Sequence, residues 1–265
     1  MLTEALVLTW FGMCAAMLYT DPRLWIVFAS SIAFTFARVV GAPLVAKQVK
    51  AFSVMSDNNQ LLWSNTIVSM VHSAVSSLLA LSALVVGHSL FGDFVNRASH
   101  MEFVTTAIST GYFAYDLWDY VLNRLYIKSP GIVAHHVVIL ICYISALTKT
   151  VGVPLLSLAL ICELHSVFMH LRKLMSMSSY RLDLSSSYRL VWSLQWVSFL
   201  LARVIPHVAV MLLAYQGREL FSNTWFFAMA FCGIVFINAL NTQLFLQVQG
   251  AYRKDKSLAK ATKAT

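Results

Sequence analysis

Charge is scarce in this chain. Only 11% of its 265 residues are Asp, Glu, Lys or Arg, against 59% hydrophobic residues, a balance that excludes an ordinary soluble domain. Cysteine is scarce too. Cys14, Cys142, Cys162 and Cys232 each stand inside an apolar run with no repeated spacing, which argues against a disulfide framework or a zinc ribbon and leaves them as small apolar residues. There is no internal repeat or low-complexity block, and short turns such as Gly152-Val153-Pro154 and Gln216-Gly217-Arg218 connect the segments. No Asn-x-Ser/Thr sequon occurs, and the final Lys263-Ala264-Thr265 carries neither a dilysine retrieval signal nor a prenylation box. The net charge of +8 is scattered among loop ends without an aromatic-basic module, which argues against nucleic acid as a partner.

What the sequence does have is apolar length. Runs at 4–19, 24–45, 61–90, 103–122, 132–148, 152–171, 190–214 and 221–247 predict about eight transmembrane helices, and hence an all-α, polytopic integral membrane bundle. Glu4 stands where a signal peptide would be positive, so the first run reads as an anchor, with Cys14-Ala15-Ala16 as the alternative cleavage region. With the N-terminus inside, thirteen basic residues fall on the cytosolic side: Lys47 and Lys50, Arg124 and Lys128, the four between Arg172 and Arg189, and five from Arg253 to Lys263. Arg23, Arg97, Lys149 and Arg218 fall opposite, and Arg38 and Arg203 lie within helices. The positive-inside rule therefore predicts that both termini are cytosolic.

Ionisable groups inside such segments are costly, so a function is the default suspicion. The stretch Gly111–His136 holds the densest set. Asp116 and Asp119 share a helix face with Tyr112 and Tyr115, and His135 and His136 follow a short basic turn. The alternation brings these groups to similar depth near the cytosolic end. A carboxylate beside an imidazole can fix its tautomer and raise its basicity, or can simply lock two helices together. His72 lies among Ser69, Ser73 and Ser76, a face equally suited to close packing. Glu163, Ser166 and His170 share a second face, while His165 lines up with Arg172. Arg203 and His207 sit four apart around Pro206. Glu163 at that depth needs a partner, one of the histidines or Arg203, with the Arg203 ion pair favoured, although an arginine there could instead hold a lipid phosphate. The set describes a pocket that opens to the cytosol and suits an amphipathic ligand. The seven Trp and ten Tyr read as interface anchors and lipid-facing bulk.

The segments WSNTIVSMVHSAVSSLLAL (63–81), STGYFAYDLWDYV (109–121), IVAHHVVIL (132–140), LICELHSVFMHLRKLM (160–175) and LLARVIPHVAV (200–210) together resemble the TLC domain, the fold shared by the translocating-chain-associating membrane protein and the ceramide synthases. On that resemblance residues 1–44 are N-terminal anchor helices, 45–250 the TLC domain and 251–265 a basic cytosolic tail. The chain looks most like the small TLC-domain proteins implicated in phospholipid acyl composition and membrane fluidity. The resemblance implies a regulator that limits incorporation of long polyunsaturated chains into phospholipids, with phospholipids or fatty acyl chains as partners. It also carries the acyl-transfer role of the paired histidines onto His135 and His136. The downstream His-Asp-x-x-Asp stretch of the ceramide synthases is replaced here by Glu163-Leu164-His165, with Asp-x-x-Asp on the preceding helix. That departure argues against acylation of a sphingoid base.

An acyl-CoA-dependent lipid acyltransferase is thus the alternative, using His135, His136, Asp116 and Asp119, with His72, Tyr112, Glu163, His170 and Arg203 binding substrate. It needs no cofactor or metal, only acyl-CoA as co-substrate. A membrane metal oxygenase would require several clustered histidine boxes, which are missing. A lipid transporter would be expected to show broken helices and repeat symmetry. Several long spans favour the thicker plasma membrane, with the endoplasmic reticulum as alternative.

Overall fold

The structure, a computed structural model, describes residues 2–87, 92–127 and 130–263. Among these residues there are eight helical rods and no strand. They are α1 (Leu2–Thr20), α2 (Pro22–Ala46), α3 (Asp57–Gly87), α4 (His100–Leu122), α5 (Pro130–Lys149), α6 (Val153–Met177), α7 (Ser186–Gln216) and α8 (Thr224–Lys263). Each expected run has its rod. Six of them, α2, α3, α5, α6, α7 and α8, are long and apolar enough to cross a membrane, and α1 holds a shorter apolar helix at Leu8–Thr20. The chain is a multi-pass helical membrane protein.

The rod outside those seven is α4, which departs from lipid-facing composition for a structural reason. It is buried along most of its length, from Glu102 and Phe103 to Asp119 and Tyr120, so its Ser, Thr, Tyr and Asp side chains meet protein rather than hydrocarbon. Its start is fixed by a capping box, in which Ser99 Oγ accepts the Glu102 N–H while the Glu102 carboxylate accepts the Ser99 N–H at 2.7 Å. Gly111 brings α4 against α2. A Cβ there would overlap the Val27 carbonyl oxygen and fall 2.7 Å from Ser30 Cβ. Ser30 Oγ donates to the Ile108 carbonyl across the same seam at 2.7 Å, so small residues let the two backbones touch.

Two rods contain π-helical turns, Ala37–Gly41 in α2 and Phe199–Val204 in α7. Both precede a proline by two residues, Pro43 and Pro206. Proline lacks the N–H for the regular ladder and its ring crowds the carbonyl four residues back, so a widened turn relieves both. The first π turn carries Arg38 and the second Arg203.

The rods alternate so that α2 and α4 run parallel. Arg23 lies over the Phe103 ring at 4.3 Å at one end, and Arg38 meets Asp119 at 3.2 Å toward the other. The loops at 47–56, 123–127 and 178–185 and the end of α8 thus share one face, where the basic residues concentrate; Lys128 and Thr265 lie outside the described residues. The last rod is longer than its apolar run because the residues beyond 250 remain helical and dock. Asp255 accepts from Tyr188 Oη at 2.6 Å and Trp192 Nε1 at 3.1 Å. At the opposite face Gly152 N–H donates to the Val95 carbonyl at 2.6 Å, and Asn96 Nδ2 to the Leu220 carbonyl at 3.0 Å. There Asp93 accepts the Asn96 and Val95 N–H groups, which holds its carboxyl below the ordinary range.

Candidate lipid-binding cavity

Between α3, α4, α5, α6, α7 and α8 lies a cavity of about 550 Å³, within the size of a small-ligand site. Its two ends differ chemically. Toward the basic face it is lined by Asp116, His135, His136, His170, Lys173 and Gln247. Toward the opposite face the lining is Ile139, Leu155, Ala214, Phe221, Phe226 and Ile234. Gly131, Gln243 and Gln247 at the basic end are exposed, whereas Gly152, Leu155, Ala214 and Phe221 at the far end are buried. The basic end is therefore the open one. From Ile237 to Phe226 the apolar wall of α8 runs about 16 Å at 1.5 Å per residue, close to half of a hydrocarbon core of about 30 Å.

The expected cluster assembles at the polar end, through a residue that sequence reasoning did not single out. Asn65 on α3 donates from one amide nitrogen to Asp116 Oδ1 at 2.7 Å and to Asp119 Oδ2 at 2.9 Å. The opposite amide orientation would set its oxygen against both carboxylates, so this assignment is dictated by charge. Asp119 also meets Arg38 Nε at 3.2 Å and accepts from Asn123 Nδ2 at 2.8 Å. Asp116 lies 3.2 Å from His136 Nε2. The result is one chain, Arg38–Asp119–Asn65–Asp116–His136, which ties α2, α3, α4 and α5 together. Asn65 stands in an apolar stretch as a lone amide, and that was the signal available.

The two histidines therefore differ. His136 is buried and its Nε2 is committed to Asp116. His135, on the cavity wall, makes ring contacts with Phe113 and His136 but no hydrogen bond or ion pair to any described residue. Its nitrogens are left for a ligand or solvent. Asp119 does not line the cavity. Neither does His72, which stacks on Tyr112 at 3.6 Å with the rings 6° from parallel. His72 Nε2 contacts Ser76 Oγ at 2.8 Å, Ser76 contacts Ser109 Oγ at 2.7 Å, and His72 stands behind Tyr112, which does face the cavity.

Tyr112, Glu163, His170 and Arg203 all line the cavity. The expected Glu163–Arg203 ion pair does not form. Glu163 Oε2 accepts from Ser73 Oγ at 2.6 Å and lies 4.0 Å from His72 Nδ1. Arg203 turns to neutral oxygens instead, donating to Ser166 Oγ at 2.7 Å, Asn241 Oδ1 at 3.1 Å and the Cys162 carbonyl at 3.4 Å. Ser73 on the neighbouring rod captures the carboxylate first. His165 is buried away from the cavity against the Gln195 carbonyl at 3.1 Å. Among the described residues no group of three or more His, Cys, Asp or Glu could hold a metal ion.

A helical membrane bundle with an amphipathic cavity is the class these features define. The family model of the TLC domain matches residues 62–248, and the chain belongs to that family. The relatives are TLC domain-containing proteins at modest identity. TLC domain-containing protein 2 of Danio rerio is 28% identical over 72% of this chain and 76% of its own length, and that of Homo sapiens is 30% identical over 58% and 63%. TLC domain-containing protein 1 of Mus musculus is 27% identical over 59% of this chain and 64% of its own length. The chain thus spans less than two thirds of the human and mouse proteins named here. No solved structure matches. Family membership supports a lipid-related membrane role.

Proposed function

We propose that this protein sets the acyl composition of membrane phospholipids, and through it membrane fluidity, by limiting incorporation of long polyunsaturated chains. The observation that carries the reading is the cavity, polar and open toward the basic face and apolar for about the depth of one leaflet beyond it. An amphiphile would keep its head among the histidines and thread an acyl chain between α6, α7 and α8. The polyunsaturated preference rests on the family resemblance. The positive-inside rule puts the basic face, both termini and the cavity mouth in the cytosol, and the long spans suit the plasma membrane. In cells lacking the protein, re-expression should lower the share of a labelled polyunsaturated fatty acid recovered in phospholipids. An unchanged acyl profile would sink the reading.

The unpartnered His135 favours a catalytic version of the same role, acyl transfer from acyl-CoA to a lysolipid. In that step the lysolipid hydroxyl or amine attacks the thioester carbonyl as its proton passes to His135. The carbon–sulfur bond breaks and the proton leaves with the coenzyme A thiol. His136 and Asp116 hold the helix that presents His135. Purified protein given acyl-CoA and a panel of lysolipids should form product, and a His135→Asn variant should not.

A further inference from the structure

We propose that Arg203 and Asn241 form an oxyanion-binding anchor inside the cavity, which takes the carboxylate or phosphate head of a single-chain acidic lipid. This deepens the lipid-cavity reading and rests on it. A guanidinium enclosed in the membrane part of a bundle ordinarily meets a carboxylate. Arg203 is 7% exposed and lines the cavity, yet among the described residues no carboxylate is within ion-pair distance. The expected partner, Glu163, is held by Ser73.

The hydrogen bonds that Arg203 does make leave a specific deficit. Its Nε and the Nδ2 of Asn241 are both buried without an acceptor. The two side chains are joined through Arg203 Nη1 and Asn241 Oδ1, so the two unsatisfied donors sit on one linked pair in the cavity wall. Buried donors without acceptors are costly, and two of them on a guanidinium–amide pair with no carboxylate within ion-pair distance point to what is missing: oxygens that carry negative charge. His135 and His207 lie within electrostatic reach of the guanidinium and add no negative charge.

Position narrows the ligand further. The π turn and Pro206 fix Arg203 on α7 across from Ser166 on α6 and Asn241 on α8. Beyond that level the walls are apolar for about 16 Å by helical rise apart from His207 and Tyr143, which accommodates an acyl chain. A volume near 550 Å³ fits a single small amphiphile.

The test uses the full-length protein in nanodiscs of neutral lipid and displacement of a fluorescent fatty acid by oleate, oleoyl-lysophosphatidic acid or uncharged monoolein. Wild type should bind at least one of the acidic lipids about tenfold more tightly than monoolein. Arg203→Met should reduce that preference to less than about threefold, while Arg203→Lys, which keeps the charge but not the fork, should retain part of it. Asn241→Leu tests the second donor and should weaken the acidic ligand alone. Equal binding of monoolein and both acidic lipids by wild type overturns the anchor but leaves the lipid cavity standing. No binding of any of the three overturns both. Should Arg203→Met fail to fold, the wild-type preference and the Arg203→Lys and Asn241→Leu series decide: a preference that neither variant lowers overturns the proposal.

Discussion

Two arginines lie well inside the membrane-spanning rods, each on a π turn two residues ahead of a proline, and they meet different surroundings. Arg38 reaches Asp119 at 3.2 Å and through it the chain that ends at His136. Arg203 reaches only uncharged oxygens, with Glu163 held by Ser73 nearby. The first arrangement supplies the arginine's counter-charge within the protein. The second is complete only if something else enters. The contrast teaches that depth and residue type do not separate a structural charge from a binding one, because what separates them is whether the fold itself supplies the counter-charge.

The largest effect should come from breaking the complete site. Asp119→Ala leaves Arg38 enclosed without its partner and should cost about 3 kcal/mol of stability, read as lower thermal stability in detergent and loss of monodisperse protein. Replacing both members, Arg38→Met with Asp119→Leu, should recover most of that loss, since a buried pair exchanged for apolar residues is often neutral. If the double variant is as unstable as the single one, the pair is not the local lock described here.

The incomplete site should respond the opposite way. Arg203→Met should change the stability of the ligand-free protein by only about 1 kcal/mol, a loss far smaller than that of Asp119→Ala, because no carboxylate is orphaned. A stability loss equal to that of Asp119→Ala would mean that Arg203 has an internal partner and would erase the contrast. The two histidines sharpen the same distinction. His136→Asn removes a contact of the lock and should cost about 1–2 kcal/mol, whereas His135→Asn should leave thermal stability unchanged and abolish the effect on phospholipid acyl profiles.

A carboxylate at the water-exposed face sets the lower bound. Asp93 is held below the ordinary carboxylate range by the Asn96 and Val95 N–H groups, so the stability it contributes is present above that range and lost as pH falls through its folded value. Asp93→Ala should lower the protection of the Val95 and Asn96 amides, relative to their intrinsic exchange rates, at neutral pH and make that protection insensitive to acidification. No change in exchange would mean that this cap contributes nothing.

Much of the molecule was legible in the chain. Apolar runs placed all eight rods, of which six are long and apolar enough to cross a membrane, and the basic residues sorted the loops into the two faces that the bundle displays, because both depend on transfer between water and hydrocarbon. The gathering of Asp116, Asp119, His135 and His136 followed from alternation and depth. Asn65 was not visible as the bridge, since a lone amide in an apolar run gives no hint of which carboxylates it faces. The Glu163–Arg203 pairing was expected from need alone. Ser73, which holds the carboxylate, and Ser166 and Asn241, which hold the arginine, are uncharged residues on three different rods. Their competition is a matter of angstroms, and periodicity cannot resolve it.

By itself the sequence determined a membrane bundle, its alternation and the depth of its ionisable groups, since solvent preference is a property of local composition. Only the tertiary structure decided which histidine is committed and which is open, that His72 stands behind Tyr112, and that one membrane arginine has a carboxylate within ion-pair distance while the other does not. Those outcomes depend on the distance and direction between side chains of separate helices, which packing fixes and composition does not encode.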